Sequence, residues 1–207
     1  MLVEYFVNGG PFMWPILISL VFGLAFVGER FYTLIMSSIN AEKFFKDVHS
    51  SLDNDGIDST LELCEKTHGP VAEIFHAGLS RMHRGLAEVE KAIQNAGSLE
   101  MSFLEKNMIW LNAVITIAPM LGFTGTVAGM VNAFDAIAAA DDISPAVVAG
   151  GISQALLTTA FGLIVAMIIQ IFQNVFVAQI DKLVLDMEER SIQLVDHLYE
   201  METNKKK

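Results

Sequence analysis

The residues that could do chemistry in this 207-residue chain are concentrated in two stretches that carry no charge. One reads PMLGFTGTVAGM and contains Gly122, Gly125, Thr126 and Gly129. The other reads GGISQALLTTAFGLIVA and contains Gly151, Gln154, Ala155, Thr158, Thr159 and Gly162. On a helix, Gly122, Thr126, Gly129 and Ala133 share one face, and Gly151, Ala155, Thr159, Gly162 and Ala166 share another. Small residues at this spacing let two backbones come close together in lipid, and Gly125-x-x-x-Gly129 adds to that face. Threonine hydroxyls and a carboxamide in apolar surroundings are costly, and such groups mark ion paths. Two readings stand side by side. In one, the stretches are packing faces, with Thr126 and Thr159 bonded back to carbonyls of their own helices. In the other, Thr126, Thr159, Gln154 and Thr158 line a polar path. Gln154 needs a partner in either case; helical geometry offers Thr158 and turns it about 140° away from Thr159.

The remaining reactive side chains form weaker patterns. Ser51-x-Asp53-x-Asp55-Gly56 through Glu62 superficially looks like a calcium loop, but it lacks the first aspartate and puts Asp58 at an apolar position. It reads as a helix-breaking turn. His76 and His83, two turns apart, have no acid or cysteine at ligand spacing and read as a soluble helix face. Cys64 is the only cysteine, which excludes an intrachain disulfide. With no nucleophile–base pair, metal cluster or phosphate loop, neither an enzyme nor a resident metal or cofactor is expected.

The elements that must position these groups follow from hydropathy and charge. The chain is 53% hydrophobic, and three runs without charge cover residues 5–28, 107–134 and 143–180. Each exceeds the roughly 20 residues needed to cross a hydrocarbon core. All 13 Lys and Arg fall on one side once these spans are drawn: Arg30 at the end of the first, seven in the 41–106 loop and five after Ile180. The positive-inside rule puts that side in the cytoplasm and the N-terminus outside. The first run has an acid and no base ahead of it, and reads as a retained anchor, not a cleaved signal. A net charge of −11 leaves no basic patch for nucleic acid.

The expected protein is therefore all-α and polytopic, with three transmembrane helices. Residues 1–10 form an external segment, 11–36 span one, 37–106 a cytoplasmic helical loop, 107–134 span two, 135–143 an external turn, 144–178 span three, and 179–207 a cytoplasmic helix and tail. Glu29 and Arg30 fall where a long side chain snorkels to the interface. In the loop, helices are expected over Ala41–Leu52, broken by Asp53-Asn54-Asp55-Gly56, and over Ile57–Lys66, ended by His68-Gly69-Pro70. Further helices are expected over Val71–Arg84 and Leu86–Lys106, the last running unbroken into span two. The third run would reach about 57 Å as a helix, nearly twice the core thickness. Gln170, Gln173, Asn174 and Gln179 mark where it leaves the bilayer. The series Ile180, Leu183, Met187, Leu194, Leu198 carries it on as one long helix, packed on the loop helices and on neighbouring copies. Lys205 to Lys207 are expected to fray.

The stretch from Leu104 to Asn174 closely resembles the MotA/TolQ/ExbB family of ion-channel motor subunits, in its three-helix ExbB/TolQ branch. The resemblance is carried by LEKNMIWLNAVITIAPMLGFTGTVAGMVNAF, by GISQALLTTAFGLIVA, by Asn174 and by the Glu29-Arg30 pair. It implies a homopentamer in the bacterial inner membrane around two copies of a single-span ExbD- or TolR-like protein with an intramembrane aspartate. It implies that ion flow through the complex does work on the partner across the periplasm. TonB-linked uptake, Tol-type envelope maintenance and gliding share this core. By match to the motif, Thr126 and Thr159 are the pore-facing threonines. The external turn then supplies Asp135, Asp141 and Asp142 in five copies, either as a cation-attracting rim or as solvated turn residues before a Ser144 cap and Pro145. Two departures stand out. Gln154 replaces the usual glutamate, so a proton path must take its titrating group from the partner, whereas hydroxyl and amide oxygens could coordinate Na⁺. Ile168 stands where the family often has proline, so no kink is expected there. A non-conducting scaffold, with Gln154 a relic of a titratable site, is the alternative to an ion-driven subunit.

Overall fold

The computed structural model describes residues 2–38, 40–139 and 145–205, and among these there are helices and no strand. They are α1 (Leu2–Asn8), α2 (Met13–Ser37), α3 (Ala41–Asn54), α4 (Ile57–Lys66), α5 (Pro70–Leu79), a 3₁₀ turn (Met82–Arg84), α6 (Leu86–Leu104), α7 (Met108–Ala139) and α8 (Pro145–Lys205). Three helices are long and apolar enough to cross a membrane. The chain divides into two compact units, residues 1–30 with 107–175, and residues 31–106 with 176–207.

The first unit is built from apolar helices. Its chain enters through α1, turns at Gly9 to Phe12, where Gly10 adopts a φ of +76°, and continues as α2. Gly23 of α2 receives both other long helices: a methyl group there would lie 2.9 Å from Ile169 of α8 and 3.2 Å from Val114 of α7. The inner faces bury Leu111, Val114, Ala118, Val165 and Ile169, whereas Phe123, Leu156 and Ile171 point outward and more than 60% exposed. Apolar side chains on the outside are what a lipid-facing surface requires.

Arg30, expected to reach for the interface, is instead 1% exposed. Its Nε and Nη2 donate to the Glu29 carboxylate at 2.7 and 2.6 Å, and Asn107 Nδ2 donates to the same carboxylate at 3.2 Å. A buried guanidinium is tolerable only with such a partner. The expectation that the loop runs unbroken into span two also fails at Asn107, which has a φ of +66°. Asparagine tolerates this left-handed conformation better than most residues, and it separates α6 from α7.

The second unit is a small helical core. Val48, Leu52, Ile74, Phe75, Leu79, Val89 and Ile93 are buried, as are Leu183, Met187, Leu194 and Leu198 of α8, the apolar series read from the sequence. Asn40 caps α3, accepting from Lys43 N at 3.0 Å. The α3 helix runs through Asp53 and Asn54, two residues past the expected end; the break is confined to Asp55 and Gly56, where Gly56 takes a φ of +87°. Thr60, fully buried, ties α4 back across that break through Ser51 Oγ at 3.0 Å and Gly56 O at 2.9 Å. The single helix expected over Val71–Arg84 stops at Leu79, where Ser80 Oγ bonds to Ala77 O and competes with continued helix. His76 and His83 therefore lie on different elements.

Burial and the nearby Glu73 push the Cys64 thiol up to about 12, so the nucleophilic thiolate is scarce near neutrality. Native protein at pH 7.5 should resist maleimide labelling at Cys64 until denaturant is added; rapid native labelling would contradict the burial. Burial, with Glu73 second, also raises Glu100 above its ordinary 4.5. A carboxyl whose pKa is higher folded than unfolded supports folding when protonated and loses that support as pH rises. Glu100→Gln should therefore raise the thermal midpoint at pH 7.5, with the gain shrinking as pH falls toward 4.5 and lost below it.

Candidate functional site

The two chemically unusual stretches face each other along α7 and α8. Gly162 lies against α7 so closely that a methyl group on it would sit 2.6 Å from Ala118 O and 3.2 Å from Gly122 Cα. One on Gly122 would meet Thr158 O at 2.9 Å and Thr159 Cα at 3.0 Å, and one on Gly125 would meet Thr158 Oγ1 at 2.7 Å. Farther along, a methyl group on Gly129 would sit 3.2 Å from both Ala155 N and Gly151 O, and one on Gly151 would overlap the Ala133 side chain. The packing set Gly122, Gly125, Gly129, Gly151, Ala155 and Gly162 thus forms one continuous seam. Contact between backbones replaces contact between side chains there.

Each threonine hydroxyl in the seam has a carbonyl partner. Thr159 Oγ1 donates across the helices to Gly122 O at 3.2 Å. This differs from the back-bonded arrangement open to it on its own helix. Thr126 is half-buried and donates to Phe123 O of its own helix. Thr158 is fully buried, with Oγ1 on Ala155 O at 2.8 Å and Gln154 O at 3.3 Å. It fills the space that Gly125 leaves, so its position is inside the helix pair. Thr126 and Thr159 stay partly accessible.

The Gln154 side chain does not turn to the Thr158 hydroxyl. Its carboxamide lies against Gly10, where any Cβ would overlap it. The glycine break ahead of α2 is therefore also the seat of the amide from α8. Nothing local in either segment signals this contact. The sequence also passed over Gly23, a lone glycine in an apolar run, and Asn112, whose Oδ1 accepts from Gln173 Nε2 at 3.4 Å. Gln170 bonds along its own helix to Asn174 at 2.9 Å. Of the polar residues taken to mark the exit from the bilayer, Gln173 thus bonds to α7 while Gln170 and Asn174 pair along α8. Through Ile168, α8 is unbroken.

Asp135 is exposed near the end of α7, whereas Asp141, Asp142 and Ser144 lie outside the described residues. No Asp, Glu, Lys or Arg occurs between Asn107 and Phe134 or between Ile143 and Ile180. The seam therefore offers oxygens that accept or donate hydrogen bonds but no group that titrates near neutral pH.

The profile of the MotA/TolQ/ExbB proton channel family matches residues 66–189, which include the whole seam. A putative biopolymer transport protein, an ExbB homolog of Methanothermobacter thermautotrophicus, is 31% identical over 180 residues, 86% of this chain and 64% of that protein. The Tol-Pal system protein TolQ of Pseudomonas aeruginosa is 30% identical over 167 residues, 75% of this chain and 65% of its own length. The biopolymer transport protein ExbB of Salmonella typhimurium is 42% identical over a shorter stretch of 71 residues, 34% of this chain and 29% of that one. The chain thus spans less than two thirds of the length of each of these three relatives.

The seam makes a steric prediction. Gly162→Ala should cost about 1–3 kcal/mol by overpacking, because the obstacle is the Ala118 carbonyl and not a flexible side chain. Gly28→Ala meets nothing within 4 Å and should be neutral or stabilising by up to about 1 kcal/mol. Thermal unfolding of the two variants in the same detergent compares them; equal midpoints would mean the backbones are not this close.

Proposed function

This chain belongs to the MotA/TolQ/ExbB proton channel family, and from that premise we propose that it is the ion-conducting stator subunit of a motor complex in the cytoplasmic membrane. In this reading the N-terminus is outside and the C-terminus in the cytoplasm, as the Lys and Arg distribution favours. Several copies, five by resemblance, surround two single-span ExbD- or TolR-like partners that each bring an aspartate into the membrane. Ion flow down its gradient drives the partner for biopolymer transport or envelope work.

The observation that carries the reading is the glycine seam with Thr126 and Thr159 half-accessible along it, inside the family-matched segment. Hydroxyls and exposed helix carbonyls at a close-packed junction can pass a proton along hydrogen bonds or supply oxygens to a dehydrated cation. The seam holds no carboxylate, so a proton path needs the partner's aspartate as its titrating group. Gln154 supports the structure through Gly10 in this reading and acts as an oxygen donor only where the N-terminal segment moves away. Asp135, with Asp141 and Asp142, would enrich cations at the outer mouth. The coupling ion is H⁺ or Na⁺, and no other cofactor is required.

A second reading, a non-conducting scaffold of the same kind of complex, is favoured by one observation: the hydroxyls of Thr126, Thr158 and Thr159 all have carbonyl partners within the protomer. Flux separates the two. The chain purified with its single-span partner and sealed in liposomes should carry H⁺ or Na⁺ when a potential is applied. Thr126→Val should lower that flux about tenfold, a barrier change of about 1.4 kcal/mol, while Thr126→Ser keeps it. Thr159→Val should lower it too, with a small loss of stability, about 0.6 kcal/mol, for the missing interhelical bond. A wild-type complex with no flux above empty liposomes would leave the scaffold reading.

A further inference from the structure

In the second unit, three potential metal ligands meet that no local motif brings together. Asp53 and His49 lie one turn apart on α3, with His49 Nδ1 3.2 Å from Asp53 Oδ2. From α8, His197 brings Nε2 to 3.2 Å from Asp53 Oδ1, and one ligand atom from each of the three residues lies within 4.8 Å of the others. Two ligands of a tetrahedral Zn²⁺ site at about 2.0–2.1 Å from the metal are about 3.3–3.4 Å apart. Each 3.2 Å separation is close to that edge, but the two run to different Asp53 oxygens, Oδ2 facing His49 and Oδ1 facing His197, so the half-exposed carboxylate must turn to set one oxygen between both imidazoles.

His197 supplies the second observation. Its side chain is 12% exposed, and Nε2 is buried without a hydrogen-bond partner although it faces the carboxylate. An imidazole nitrogen left in that state costs stability unless something else satisfies it. The two imidazoles are also stacked, with ring centroids 3.7 Å apart and planes at 30°. The site has one fixed ligand and two adjustable ones, because His49 and Asp53 are nearly half exposed and can swing outward to admit an ion. Ligands at i and i+4 on one helix with a third from another helix make a metal clip of the kind imidazole and carboxylate form with borderline divalent ions.

We propose that His49, Asp53 and His197 bind a divalent transition-metal ion, Zn²⁺ in the first instance, which clasps α3 to the C-terminal part of α8. His49 would bind through Nδ1, His197 through Nε2 and Asp53 through one carboxylate oxygen, with water in the fourth position. The proposal is independent of ion conduction, since none of the three residues belongs to the membrane-spanning runs.

The test uses the full-length chain purified in detergent without a polyhistidine tag, stripped with chelator and titrated with Zn²⁺ against a chromophoric competitor. One Zn²⁺ per chain is expected, with a rise in thermal midpoint on binding, and Co²⁺ should give visible absorption distinct from the aqueous ion. His49→Ala and His197→Ala should each weaken binding about 100-fold or more, since loss of an outer-shell partner alone costs about 10–100-fold. Asp53→Asn should weaken it as well. His83→Ala and His68→Ala, at exposed histidines away from the cluster, should leave binding unchanged. His197→Gln and His49→Gln repeat the measurement should an alanine variant unfold. Absence of stoichiometric binding, or binding that survives both His49 and His197 substitutions, would overturn the assignment.

Discussion

The structure of the membrane unit depends on how closely the α7 and α8 backbones approach. Where Gly162 meets Ala118 and Gly122 meets Thr158 and Thr159, no methyl group fits. Lipid offers little hydrophobic driving force for helices to associate, so attraction must come from dispersion and polar contacts at short range. That requirement fixes the rest of the arrangement. It lets the Thr159 hydroxyl reach a carbonyl on the neighbouring helix, and it leaves Thr158 just the volume opposite Gly125. It also brings Ile169 and Val114 near enough to Gly23 for α2 to join the pair.

The three apolar spans, the small-residue faces and the apolar series along the C-terminal helix were all legible in the sequence, because each is a periodic property of a single segment. The helix ends were less so. Asp53 and Asn54 have side chains that favour turns, yet they continue α3, because the chain can turn sharply at Gly56 instead. Asn107 breaks a helix that periodicity would have carried through. The left-handed residue makes sense only once Glu29 and Arg30 stand beside it, and those lie far away in sequence.

The least legible contacts join distant segments through polar groups. Thr158 is one residue from Thr159 and has the same side chain, but a turn of about 100° takes it from the accessible edge of the seam to its buried interior. Gln154 had an obvious local companion in Thr158 and instead rests on Gly10. Asp53 read as part of a turn, and no spacing rule singles out His197; only the folded second unit brings both to His49. Spacing rules see neighbours on one helix, and these positions are decided between helices.

The pairing of Arg30 with the residue immediately before it has a consequence for biogenesis. Because Nε and Nη2 of Arg30 both donate to Glu29, the guanidinium near the end of the first membrane helix has a counter-ion within the same turn. During synthesis, that helix can pass from the translocation machinery into the bilayer as an electrically balanced segment, before the other two spans have been made. Asn107 arrives later, as the start of the second span leaves the ribosome, and adds its amide to a carboxylate already in place. The order of the chain thus lets the burial of a charge begin with a local contact and finish with a long-range one.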